Sequence, residues 1–165
     1  MTVEHYRLLF EHNAWANNRV VEQIANMGEA ASRPTGLDLG EGSVIETLVH
    51  ILSAELAWFA RCQGENGSHL TVEAAGTIAT IDERFKARAL GWQAMLGRLT
   101  DAGLDAMSTN TSPASGKVFS HPLWTRFSHI LSHSTQHRGE LALATTRLGH
   151  SPGELDFLEY YEFHR

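Results

Sequence analysis

His133 and His137 stand four residues apart in a stretch, residues 121–137, that carries four of the chain's ten histidines. At that spacing on one helix, side chains lie one above the other, about 5 to 6 Å between Cβ atoms, so two imidazoles can share one metal ion. On a helical wheel both fall beside Ile130, Leu141, Ala144 and Leu148, the face expected to point into a core. An inward imidazole that finds no partner costs about 1 to 3 kcal/mol. A divalent ion resolves this by taking a lone pair from each ring, while the opposite ring N–H donates to a neighbouring acceptor. His50, at the edge of the apolar face of an earlier helix, is the candidate third ligand. The same spacing also arises by chance in a His-rich chain, where such pairs sit at the surface.

Three neutral imidazoles leave an ion positively charged and open to water or substrate, the layout of a catalytic site. An ion held this way lowers the pKa of bound water or of a thiol toward neutrality, so no protein nucleophile is required. A fourth protein ligand would instead close the site and make the ion a structural tie between helices. His129, one turn before His133, is the residue that distinguishes these cases, and the wheel places it beside the site or at the surface. Imidazole suits zinc, nickel, iron and copper alike; zinc or nickel is the expected ion, with iron as the alternative. Arg138 lies toward the inward edge of the wheel, where it either holds an anionic substrate group or makes a structural ion pair between helices, the latter being the expected role. His5, His12, His69, His121, His150 and His164 read as solvated. Cys62, three turns from His50, is too distant to join it and reads as a small buried hydrophobe.

The elements that must position these residues are helices. Tyr6, Leu9, Phe10, Val20, Val21, Ile24 and Met27 recur at three- and four-residue steps and predict a helix over residues 3–27, stopped by Gly28. Residues 28–42 read as a loop. Ser43 and Glu46 form a capping-box pattern that starts a second helix bearing Ile45, Leu48, Val49, Leu52, Leu56 and Phe59. Residues 68–79 read as loop or a short strand. Thr80 and Glu83 repeat the capping spacing and predict a third helix to about Leu99, and residues 104–120 suggest a small hairpin. Ser120 is the expected cap of a fourth helix, with Pro122 in its first turn and Gly149 as its stop. A short aromatic helix closes the chain.

With 165 residues, no linker and no repeat, residues 1–165 are expected to form one domain with an ordinary core. Hydrophobic residues at 42% and charged residues at 19% are typical globular values. A net charge of -6 argues against a nucleic-acid partner. A single cysteine permits no intrachain disulfide, and no signal sequence or membrane span is read, so the expected location is the cytoplasm.

Three blocks of the sequence resemble the DinB/YfiT-like metalloenzyme family. HNAWANNRVV (His12 to Val21) resembles the family's first-helix pattern, and LVHILSAELAWFAR resembles the segment in which a ligand histidine precedes an Ala-Glu pair and a Trp. TNTSPASGKVFSHPLWTRFSHILSHSTQHRGELALA resembles the hairpin and the fourth helix with its His-x-x-x-His-Arg-Gly signature. The resemblance covers nearly the whole chain. It implies an all-α four-helix bundle with a small hairpin before the fourth helix, and a divalent metal on His50, His133 and His137. Ser132 and Glu140 stand where the family often has Asn and Gln; neither change removes a ligand, and Glu140 bears on the hydrogen bonding and charge around the site. The resemblance further implies activation of a low-molecular-weight thiol for S-transfer to an electrophilic small molecule, with a homodimer as the assembly. Metal-dependent hydrolysis and a non-catalytic metal-binding role are the alternatives. In the first-helix block, Trp15 is expected to pack in the core, and Asn17 or Asn18 to hydrogen-bond between helices.

Overall fold

The computed structural model describes residues 1–32, 36, 42–112 and 115–165. The chain is mostly helical with one small antiparallel hairpin. Its order is α1 (Val3–Met27), α2 (Val44–Cys62), α3 (Val72–Ala75), α4 (Ile78–Gly97), β1 (Met107–Thr111), β2 (Val118–Pro122), α5 (Leu123–Arg147) and α6 (Phe157–Phe163), with short 3-10 turns at Gly28–Ser32 and Asp101–Asp105. No helix among the described residues is long and apolar enough to cross a membrane.

Local chemistry sets the helix starts. Thr2 caps α1: its hydroxyl accepts from the His5 N–H, and the His5 ring accepts from the Thr2 N–H at 3.0 Å, a capping box with histidine in the usual Glu or Gln position. Ser43 and Glu46 form the expected reciprocal pair at the head of α2, with Ser43 N–H donating to Glu46 Oε2 at 2.7 Å. Three expectations need correction. Residues 68–79 hold the one-turn helix α3, capped by Thr71, and α4 begins at Ile78 because Thr77, not Thr80, accepts the first free N–H. Ser120 does not cap α5. Strand pairing runs on to Met107 opposite Pro122, so Ser120 faces Thr109 across the hairpin with hydroxyls 3.0 Å apart, and α5 starts at Leu123 without a side-chain cap. The loop expected over residues 28–42 starts as a 3-10 turn, and residues 33–35 and 37–41 lie outside the described residues, as do 113 and 114 of the hairpin connection.

α1 packs on α4 and α5, and α2 packs on the same two helices, so α1 and α2 face each other across the centre. The apolar core has two parts. One gathers Val20, Val21, Ile24, Leu48, Leu52, Ile81, Phe85, Leu141 and Ala144 at one end; the other gathers Tyr6, Phe10, Trp92, Leu96, Phe127 and Ile130 at the opposite end. Each fully buried large apolar side chain contributes about 1.5 to 3 kcal/mol through removal from water. Between these parts, at the level of Asn13, Asn17, Glu55, Ser134 and Arg138, the interior is polar. The histidine cluster lies at the edge of this middle layer, because His133 and His137 each precede one of its members on α5.

Candidate metal centre

His50 on α2 and His133 and His137 on α5 are brought together across a packed helix pair. One nitrogen from each ring lies within 4.8 Å of the other two, a set of positions that can hold a metal ion. The ring centroids are 4.5 to 4.9 Å apart. His50 Nε2 and His133 Nε2 face each other at 3.0 Å. Two lone pairs cannot be so close with nothing between them, so a proton or a cation must be shared there.

The protonation state suits a cation. Burial, followed by the charges of His137, His50 and His129, pushes His133 down to about 4, which leaves it neutral near pH 7. His137 Nδ1 lies 2.7 Å from Glu140 Oε2. The carboxylate only accepts, so Nδ1 donates to it and Nε2 is the nitrogen left for a cation, the carboxylate–histidine arrangement that raises ligand basicity. His133 Nδ1 is buried and has no hydrogen-bond partner among the described residues.

No fourth His, Cys, Asp or Glu among the described residues joins the three. The exposed His129 ring packs on Trp58 at 4.5 Å and stays 5.9 Å from the His133 ring. Cys62 is buried in the core part that holds Trp92 and Phe127, and burial pushes its thiol up to about 12. Among the described residues, the three-imidazole set therefore fits a divalent ion of the kind imidazole favours, with positions that a ligand from outside could take.

That ligand has a place to enter. A cavity of about 340 Å³ runs from His50 and His133 along Ser53, Ala54, Ala57, Trp58 and Arg61, closed opposite by Gly67, Ser68 and His69. The loop can approach α2 this closely only because residue 67 is glycine: a Cβ there would stand 2.5 Å from the Ala57 carbonyl oxygen. His69, although exposed, is attached to the wall through Ser53 Oγ at 3.1 Å. Larger hollows near Trp124 and near Asn18 contain no histidine, so chemistry rather than volume marks the site.

Behind the cluster lies the buried polar layer. Glu55 Oε1 accepts from the Asn13 and Asn17 side-chain amides, each at 2.8 Å, and more weakly from Ser134 Oγ. Arg138 donates to the carbonyl oxygens of the same two asparagines, at 2.9 Å to Asn17, and to Thr135 Oγ1 at 3.0 Å. The asparagines thus bridge a buried carboxylate and a buried guanidinium. The Arg138 guanidinium faces α1, so of its two expected roles the interhelical one matches these contacts. Desolvation, opposed by Glu55, holds Arg138 down at about 10, still charged near pH 7.

Of the two expected asparagines, Asn17 makes interhelical bonds and Asn18 is exposed. Trp15 is half-buried rather than central, packing on Tyr160 and His164. His12, expected to be solvated, is half-buried and contacts the Leu155 carbonyl at 2.9 Å. Glu55 and Asn13 have no role in the sequence reading, although the pattern contains a signal for both: Glu55 continues the steps of Leu48 and Leu52, and Asn13 those of Tyr6 and Phe10. A polar residue on an apolar stripe must find partners inside.

The model of the DinB family matches residues 1–164. Among curated proteins, none matches the chain.

Proposed function

Starting from a chain that belongs to the DinB family, we propose that this protein is a divalent-metal-dependent enzyme that activates a low-molecular-weight thiol for transfer to an electrophilic small molecule. One observation carries the enzymatic reading: three imidazoles converge beside an open cavity without a fourth protein ligand among the described residues. His50, His133 and His137 would hold the ion, with zinc or nickel as the expected metal. When bound, such an ion supplies Lewis acidity that favours the thiolate over the thiol near neutral pH. Glu140 fixes the proton on His137 Nδ1, burial keeps His133 unprotonated, and the Gly67 loop with Trp58 forms the walls that confine the reactants. The choice of a thiol, the reading of the four long helices as that family's bundle and a homodimeric assembly rest on the family resemblance; the single domain rests on the chain's length without a linker, and the cytoplasmic location on its single cysteine and the reading of no signal sequence or membrane span.

The test is metal content of untagged protein purified without added metal, measured by mass spectrometry beside His133→Ala and His137→Ala. About one ion per chain, lost in both variants while circular dichroism shows the helices intact, is the expected result. A wild-type protein that neither contains nor takes up a divalent metal would overturn the proposal.

A further inference from the structure

Trp58 lines more than the cavity beside the histidines. Trp58 and Arg61 also line a second cavity of about 310 Å³, walled by Asn110, Ser112, Phe119 and His121 of the hairpin segment. The two cavities share Trp58 and Arg61 as lining, so a path from the histidine cluster to the hairpin would run past Arg61. Side chains on a helix lean toward its N-terminus. Arg61 accordingly leans back along α2 toward His50 and places its guanidinium 4.7 Å from the Trp58 ring centre.

Three observations make this path a place for negative charge. Among the described residues, the half-buried Arg61 guanidinium has no carboxylate partner and no hydrogen bond, only the Trp58 face. Arg126 is 1% exposed, and its two terminal nitrogens donate to the carbonyls of Arg61 and Ser108, so its charge is buried with no acidic side chain bonded to it among the described residues. No Asp or Glu lines either cavity among the described residues, whereas His69 and His121 do. A cleft with low-dielectric walls and charges of one sign concentrates the opposite sign.

We propose that Arg61, supported by the Trp58 ring and the buried charge of Arg126, is an anion subsite that binds the negatively charged end of an elongated small molecule whose other end reaches His50, His133 and His137. This rests on the metal-site reading for the far end only. His50 and Arg61 are separated by roughly 16 Å along the α2 axis, shortened by the backward lean of Arg61, so the molecule must be long rather than compact.

The probes are 6-mercaptohexanoate and 6-mercaptohexanol, thiols of equal length that differ in the terminal charge, titrated by calorimetry into metal-loaded and metal-free protein and into Arg61→Gln. The carboxylate probe is expected to bind the wild type about tenfold or more tightly than the alcohol, the size of one charge-assisted hydrogen bond, and added salt should weaken that preference. Arg61→Gln should remove the preference, so that the two probes bind the variant equally. The preference should survive in metal-free protein, which separates this proposal from the metal reading. Equal binding of the two probes by wild type would overturn it whether or not the variant folds, and so would an unchanged preference in Arg61→Gln.

Discussion

Replacing Glu55 by Gln removes a charge and almost no volume, which makes it the cleanest perturbation of the layer behind the histidines. Glu55 is 2% exposed, and its Oε1 accepts two amide N–H bonds at 2.8 Å. Hydrogen bonds to a charged group contribute about 1.5 to 3 kcal/mol each, and deleting one member of a buried ion pair costs about 3 to 5 kcal/mol because the other charge stays buried. Here the stranded charge is Arg138, 3% exposed, whose guanidinium remains bound to asparagines that no longer face a carboxylate. The expected loss is about 3 kcal/mol, a large part of the 5 to 15 kcal/mol typical of a domain. Urea unfolding followed by circular dichroism measures it. Arg138→Met alone should lose a similar amount, and the double variant should lose at least about 1.5 kcal/mol less than the sum, since residues in one network couple. A single-variant loss below about 1 kcal/mol, or strictly additive losses, would refute the claim that the asparagines transmit a charge interaction.

Two further outcomes follow from the same structure. Glu140→Gln keeps a hydrogen-bond acceptor near His137 Nδ1 but removes the charge; metal affinity, measured by competition with a chelator, is expected to fall about 10- to 100-fold with the helical spectrum unchanged, and an unaltered affinity would show that the 2.7 Å contact does not tune the ligand. Burial pushes the Cys62 thiol from 9.0 up to about 12, so native protein should resist iodoacetamide near pH 8 and label only on unfolding. The folded value lies above the unfolded one, so this stabilisation is complete below about pH 9 and is lost as pH rises toward 12, which an alkaline urea series reads as falling stability.

Periodicity placed α1 at the residues where it stands because its signals are local: apolar steps of three and four, then a glycine with positive φ. The start of α5 is not legible locally, because Ser120 carries a cap-forming side chain but is held in a strand by its pairing with Thr109, a contact eleven residues away in sequence. The histidine pair was legible for the same reason as α1, since a four-residue spacing on one helix fixes the geometry. Its convergence with His50 depends on which face of α2 meets α5, and that is a tertiary fact. Arg61 and Trp58 gave no local signal of a cleft, because the opposite wall comes from the Gly67 loop and the hairpin.

The polar layer accounts for why the three imidazoles meet. On α5, Ser134 and Arg138 directly follow His133 and His137, about 100° further round the helix, so one face carries the ligands while the next faces the centre. On α2, Glu55 lies five residues beyond His50 and faces the same centre. Apolar side chains alone tolerate a sliding of one helix past another, because leucine against leucine is nearly as good one turn away. A buried carboxylate and a buried guanidinium joined through Asn13 and Asn17 do not, since a shift of one turn, about 5.4 Å, would strand both charges. The register that satisfies Glu55 and Arg138 is the register that brings His50 Nε2 within 3.0 Å of His133 Nε2. The network therefore acts on the site by alignment, and its variants should weaken metal binding even though none of its members is among the three imidazoles.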